Sequence, residues 1–363
     1  MQQAARLFDA LRYHDCNGIM MKTVYSDLHG LQHAEAEYIR GKRVASFEMP
    51  RRVELVLERV RAVALGPVVG IGDYGLETVG KVHDAEFVTF LSTAWQAWSA
   101  ENGEIDAFPN AWPPPRASRR ATKRPGAELG RFCIDMSSPI MAGTWTAAKA
   151  AVDAAVTAVD IVAGGDHAAF ALCRPPGHHA GRDYFGGYCF LNNAAAAAQA
   201  FRDRGYGKVA VLDIDYHHGN GTQDIFYDRA DVLTVSIHAD PQVEYPYYSG
   251  YAEETGEGAG ADFNLNLPLP WGTEYTGYGA ALATGLGRIA AHGTEALVVS
   301  LGVDTFGGDP ISHFKLVSDD FTRIGQAIGG LSLPTVFVME GGYAVEEIGV
   351  NAVNVLSGFK AVA

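Results

Sequence analysis

The segment Val211-Leu-Asp-Ile-Asp-Tyr-His-His-Gly-Asn-Gly221 ends an apolar run on two potential metal ligands, Asp215 and His217, placed two residues apart. In an extended strand that spacing puts both side chains on one face. Upstream, Cys173-Arg-Pro-Pro-Gly-His-His-Ala180 supplies a tandem histidine in a loop stiffened by proline and glycine. Downstream, Val298-Val-Ser-Leu-Gly-Val-Asp304 ends a second apolar run on a third carboxylate. Together these residues make a metal site with acid–base partners. Taken alone, an Asp-x-His after a strand is more often a hydrogen-bonded loop, and a His-His pair in a turn is more often structural than catalytic. The pattern across the chain decides between the two readings, because five strand-like apolar runs each end in a reactive or ligand-type group. They are Phe170-Ala-Leu-Cys173 before His178 and His179, residues 209–214 before Asp215, Leu233-Thr-Val-Ser-Ile237 before His238, residues 297–303 before Asp304, and residues 335–339 before Glu340-Gly-Gly-Tyr343. In an open parallel sheet, sites form at the carboxyl ends of the strands.

The elements that must position these groups follow from periodicity. Short apolar runs alternate with Ala-rich segments of helical period at residues 144–162, 192–204 and 278–292. That alternation predicts βαβ units and a mostly parallel sheet flanked by helices on both faces, an α/β fold. No internal repeat is apparent, and Asp215 and Asp304 come from well-separated parts of the chain, so residues 21–363 are expected to form one domain. Met21-Lys-Thr-Val-Tyr-Ser-Asp27 reads as its first strand, and residues 1–20 as an upstream extension or a cloning remnant. Residues 100–130, with Trp112-Pro-Pro-Pro-Arg116 and the basic run 116–124, read as an inserted loop; Trp95, Trp98, Phe108 and Trp112 favour contact over disorder.

No apolar stretch is long enough to span a bilayer, and Arg6, Asp9, Arg12 and Asp15 interrupt any secretory signal, so the cytoplasm is the expected compartment. The formal charge of −14, from 42 acidic against 28 basic side chains, argues against nucleic acid and draws cationic ligands to any cleft that concentrates the field. Cys16, Cys133, Cys173 and Cys189 show no Cys-x-x-Cys spacing, so free thiols are expected.

Arg174-Pro-Pro-Gly-His-His179, Gly187-Tyr-Cys-Phe-Leu-Asn-Asn193, Asp213-Ile-Asp-Tyr-His-His-Gly-Asn-Gly221, Gly302-Val-Asp304 and Glu340-Gly-Gly-Tyr343, in that order, resemble the arginase–deacetylase superfamily on its zinc-dependent deacetylase branch. From about Met21 onward the chain is most similar to bacterial acetylpolyamine amidohydrolases. The resemblance implies Asp215, His217 and Asp304 as zinc ligands, a set that suits ferrous iron about as well. It implies His179 as general base and then acid, His178 as mainly electrostatic with Asp213 as its carboxylate, and Asn220 beside His179. Tyr343 would donate to the acetyl carbonyl and the developing oxyanion, and Tyr188, Tyr245 and Gly187 would line a narrow substrate tunnel. A structural potassium or sodium ion would sit on the carbonyls of Asp213, Asp215, His217 and Ile237 and the Ser236 hydroxyl. The resemblance also implies a homodimer or higher homo-oligomer assembled through residues 100–130. The chain departs from some polyamine-specific relatives by carrying Ser137 where they have a substrate-binding glutamate, which leaves Asp135, Glu128 and Glu37 as candidates for reading the substrate amine.

The implied substrates are small acetylated polyamines, cleaved to acetate and free amine. A protein-lysine deacetylase would use the same inner residues and differ in its access route. An arginase-like manganese hydrolase would need another aspartate two residues after His217, where Gly219 stands. A binding module that has lost catalysis would not be expected to retain Asp215, His217, Asp304, His179 and Tyr343 together.

Overall fold

The structure, a computed structural model, describes residues 20–39 and 41–363. Apart from Met20, the expected upstream extension lies outside the described residues. Eight strands form a single parallel sheet, β1 (Lys22–Val24), β4 (Val68–Val69), β5 (Ala168–Ala171), β6 (Val209–Asp213), β7 (Val232–Ala239), β8 (Asn264–Leu269), β9 (Ala296–Leu301) and β10 (Thr335–Met339), in the order β4-β1-β5-β10-β9-β6-β7-β8. A separate antiparallel hairpin pairs β2 (Ala36–Ile39) with β3 (Lys42–Ala45).

The central strands are buried at every position and mostly apolar because both faces are covered. Val211, Val298, Val336 and Val338 point into one layer with the helices Ala85–Asn102, Thr144–Ala163 and Asn193–Asp203. Leu212, Leu297, Val299 and Phe337, one residue out of phase, enter the other with the helices Arg51–Ala62, Tyr275–His292, Ser318–Gly329 and Ile348–Lys360. A one-residue slip would exchange the two sets, so packing on both faces fixes the register. The first layer is rich in alanine, Ala194 to Ala198 and Ala148, Ala151, Ala154, Ala155 and Ala158 among them, which lets its helices approach the sheet closely.

Register is what brings the site together. Ala171, Val338, Ser300, Asp213 and Ser236 stand side by side in one row across β5, β10, β9, β6 and β7. Four adjacent strands therefore end at nearly the same level, and each delivers one of the motifs.

Two expectations are corrected. The inserted segment is shorter than 100–130, since Ala85–Asn102 is one helix and Pro125–Phe132 another, the second starting on a proline whose missing N–H costs nothing there. The tryptophans make contact as expected, within the chain: Trp98, on the first of these helices, is buried and donates to the Ile105 carbonyl, and Trp112 donates to the Cys133 carbonyl. His238 lies inside β7 rather than after it, bonded to Ser236 Oγ and the Gly250 carbonyl, and belongs to the buried frame. Cys133, Cys173 and Cys189 are free and buried, as expected, while Cys16 is outside the described residues.

Candidate active site

Asp215 and His217 follow β6, and Asp304 follows its neighbour β9. His217 Nδ1 lies 3.4 Å from Asp215 Oδ1 and 3.0 Å from Asp304 Oδ2, and one ligand atom from each residue falls within 4.8 Å of the others. Backbone N–H groups aim both carboxylates: His217 and Gly341 donate to Asp215 at 2.9 and 2.8 Å, and Tyr216 donates to Asp304 at 2.8 Å. Burial and the neighbouring Asp215 charge push Asp304 up to about 7, so a cation placed between the two carboxylates would be favoured. Glycine keeps space for one. A Cβ on Gly302 would lie 2.0 Å from Asp215 Oδ2, and one on Gly341 2.6 and 2.7 Å from Asp215 Oδ2 and Asp304 Oδ2. This dry set of two carboxylates and an imidazole fits a divalent metal with a position left open.

The tandem histidines end the loop after β5. His178 Nδ1–H donates to Asp213 Oδ2 at 2.9 Å, and His179 Nδ1–H donates to Asn220 Oδ1 at 2.6 Å, the two pairings that the family resemblance implies. Their environments diverge. Burial disfavours charge on His178, but Asp215 and Asp213 outweigh it and raise the ring to about 10. Burial, reinforced by repulsion from His178 and His217, holds His179 well below the ordinary histidine value. Adjacent groups driven apart in this way are suited to different roles in one reaction.

Tyr343 ends the Glu340-Gly-Gly-Tyr turn after β10, where Gly342 at φ +127° adopts a backbone that side chains avoid. The turn is held from two sides. Arg52 donates to the carbonyls of Gly342 and Glu340, both at 2.6 Å, and Asp309 Oδ2 accepts the Tyr343 N–H at 2.6 Å. Glu48 bridges Arg52 to Arg174, and Glu340 Oε2 accepts the N–H groups of Gly177 and His178, which ties the turn to the histidine loop. Sequence reasoning missed Arg52, Glu48 and Asp309. Arg52 had a signal, since it falls in phase with Val53, Val56 and Val60 on the buried stripe of its helix, where an unpaired charge would not survive.

Aromatic rings close around these groups, Tyr188 at 5.5 Å from Tyr343 and Tyr245 at 5.0 Å from His179 between centroids. Tyr188 sits at φ +67°, held there by its N–H on Ser138 Oγ and its hydroxyl on Glu37 Oε2. Gly187, also at positive φ, makes room for His179, because a Cβ there would lie 2.2 Å from the imidazole. The three candidate amine-binding acids are placed differently from expectation. Asp135 Oδ2 accepts the Gly187 N–H at 2.5 Å and the Tyr245 hydroxyl at 2.9 Å, and Glu37 is fully buried under Tyr188. Both carboxylates thus stand behind the tyrosines and hold them. Glu128 is not at the site: it pairs with Arg131 at 2.8 Å and accepts from Thr122, in the wall of a surface cavity of about 550 Å³ that lies away from the metal ligands. Gly219 has no room for the second-metal aspartate of an arginase-like site, since even a Cβ would lie 2.2 Å from Asp213 Oδ2. Ser236 pairs with Asp213 in register, and its hydroxyl lies 2.8 Å from His238 Nδ1.

The histone deacetylase domain family matches residues 46–359. The acetylpolyamine amidohydrolase 2 of Pseudomonas aeruginosa is 54% identical over 342 residues, covering 94% of this chain and 99% of the relative. The acetylpolyamine amidohydrolase of Mycoplana ramosa is 49% identical, covering 93% of this chain and 99% of its own length. The crystal structure of an acetylpolyamine aminohydrolase from Burkholderia pseudomallei superposes with a TM-score of 0.90 at 40% identity, covering 94% of this chain and 99% of that one. With the motifs assembled at the ends of four neighbouring strands and the match running nearly end to end, the chain belongs to the histone deacetylase domain family.

Proposed function

We propose that the chain is a metal-dependent amidohydrolase that removes the acetyl group from small acetylated polyamines, such as acetylputrescine and acetylcadaverine, giving acetate and free amine. The convergence of Asp215, His217 and Asp304 below two histidines with divergent charge preferences carries the hydrolysis, and the likeness to acetylpolyamine amidohydrolases over nearly the whole chain supports the substrate class. Asp215, His217 and Asp304 would hold zinc, or ferrous iron, which when bound lowers the pKa of water from about 15.7 to roughly 7 and polarises the acetyl carbonyl. His179, with its Nδ1–H on Asn220, offers Nε2 to take a proton from the attacking water and return it to the leaving amine. His178, charged against Asp213 and Asp215, stabilises negative charge on the reacting centre. Tyr343 donates to the oxyanion from a turn fixed by Arg52 and Asp309.

Tyr188 and Tyr245 line the entry, braced by Glu37 and Asp135, so the acidic charge lies beneath the aromatic wall that a cationic chain would pass. A potassium or sodium ion beside the Asp213, Asp215, His217 and Ile237 carbonyls and Ser236 Oγ would brace β6 against β7. The segment between the helices Ala85–Asn102 and Pro125–Phe132 would form a homodimer contact through the exposed edge of Trp112, although Phe108 already packs on Tyr38, and Arg119 and Arg124 already pair with Asp183 and Glu101 of the same chain.

The test is turnover on a panel of acetylated diamines, acetylated triamines and acetyl-lysine peptides, with metal content measured on the same samples. Preference for the diamines and triamines is expected. Comparable turnover of the peptides would instead favour a protein-lysine deacetylase.

A further inference from the structure

Asn220 joins His179 to a residue that no motif singled out. Its Oδ1 accepts from His179 Nδ1 at 2.6 Å, and its Nδ2 donates to the Tyr184 hydroxyl at 3.1 Å. The same hydroxyl donates its proton to the Asn220 backbone carbonyl at 3.2 Å. An amide group is nearly symmetric in shape, so packing alone does not decide which end faces the imidazole; hydrogen bonding must. With its one proton committed to the carbonyl, Tyr184 presents only lone pairs, which accept Nδ2–H and repel Oδ1. We propose that Tyr184 is a positioning residue that fixes the orientation of the Asn220 amide, and through it the His179 tautomer whose proton sits on Nδ1 and whose Nε2 is free.

The surroundings are built for this arrangement. The Tyr184 ring lies over Gly181, where a Cβ would approach to 2.2 Å, and its backbone carbonyl accepts the Gly181 N–H at 3.0 Å. Burial, followed by the Asp224 charge, raises the phenol far above its ordinary value, so the hydroxyl keeps its proton. Tyr184 and Asn220 also line a polar surface cavity of about 340 Å³. Water from that cavity is a poor substitute for the hydroxyl, because a water donates as readily as it accepts and holds either amide orientation.

The catalytic consequence rests on His179 acting as the proton acceptor proposed above. The test is Tyr184→Phe, which removes one oxygen and leaves the ring. We expect kcat on acetylputrescine to fall about tenfold with KM changed less than about twofold, the size seen when a supporting partner of an active-site histidine is lost. Nitrogen-15 spectra of histidine-labelled protein should show His179 moving from a single Nδ1-protonated form to a mixture. In an Asn220→Asp background the two carboxylate oxygens are equivalent, so adding Tyr184→Phe should lower kcat by less than about twofold more. An equal loss in both backgrounds, a change confined to KM, or an unaltered His179 spectrum would overturn the proposal. Should the wild type fail to hydrolyse any acetylated amine, the functional reading falls while the tautomer spectrum still decides the role of Tyr184.

Discussion

The glycines beneath the metal ligands offer a sharp test, because their constraint is steric and can be worked out from the structure. Gly341 does not occupy the positive-φ region, so alanine fits its backbone, yet the added Cβ would lie 2.6 Å from Asp215 Oδ2 and 2.7 Å from Asp304 Oδ2. Ordinary contact begins near 3.4 Å, so the two oxygens and the turn must separate by about 0.8 and 0.7 Å. Metal–ligand distances tolerate only about ±0.2 Å, so Gly341→Ala should displace two of three ligands by several times that margin. The expected result is metal content below roughly a tenth of an equivalent, with activity lost in proportion. Thermal melting provides a second readout: a metal at about a thousand times its Kd stabilises the fold by roughly 4 kcal/mol, so EDTA should lower the wild-type Tm and leave the variant unmoved. Gly80→Ala, where a Cβ meets nothing within 4 Å, is the control and should retain both metal and activity. A Gly341→Ala protein with full metal and wild-type turnover would refute the assignment of Asp215 and Asp304 as joint ligands.

Tyr343→Phe should lower kcat by about two to three decades with little change in KM, as for a lost oxyanion donor; wild-type kcat would show that the hydroxyl does not act in the transition state. Asp135→Asn should lower kcat/KM about tenfold or more, because it weakens charge-assisted bonds to both Gly187 and Tyr245, and Tyr245→Phe should reproduce part of the loss; an effect in neither variant would remove the bracing role. His83 is buried and neutral, donating from Nδ1 to the Gly181 carbonyl and accepting the Asn192 N–H, and burial lowers it from 6.5 to about 4. Between those values the unfolded chain holds a proton that the folded chain refuses, so its contribution is present above pH 6.5 and lost as pH falls toward 4. Chemical denaturation of wild type against His83→Gln should show about 3 kcal/mol less acid dependence in the variant, and parallel curves would refute the linkage.

Much of this site was legible because its ligands are written at the ends of apolar runs, and chain direction in a parallel sheet sends those ends to one edge. Asp215, His217 and Asp304 meet because β6 and β9 are neighbours in register, whereas the pairings of His178 with Asp213 and His179 with Asn220 are implied by the family resemblance and not by the alignment of strands. What the motifs do not carry is the set of residues that act through others. Glu37 comes from the β2–β3 hairpin and Arg52 from a helix far from every motif, and each reaches the site only through tertiary packing. The candidate acids show how this misleads. Judged by charge alone, Glu37, Asp135 and Glu128 are equivalent answers to the missing glutamate at Ser137. The fold spends the first two on tyrosine hydroxyls and the third on Arg131, so none is a free carboxylate waiting for an ammonium group. If polyamines are the substrates, their positive charge is read through Tyr188 and Tyr245 and the acids behind them. It follows that Glu37→Gln, which keeps a hydrogen-bond acceptor for Tyr188 and removes the charge, should raise KM for acetylputrescine more than for neutral N-acetylbutylamine. Equal KM changes for the two would confine Glu37 to a purely structural role.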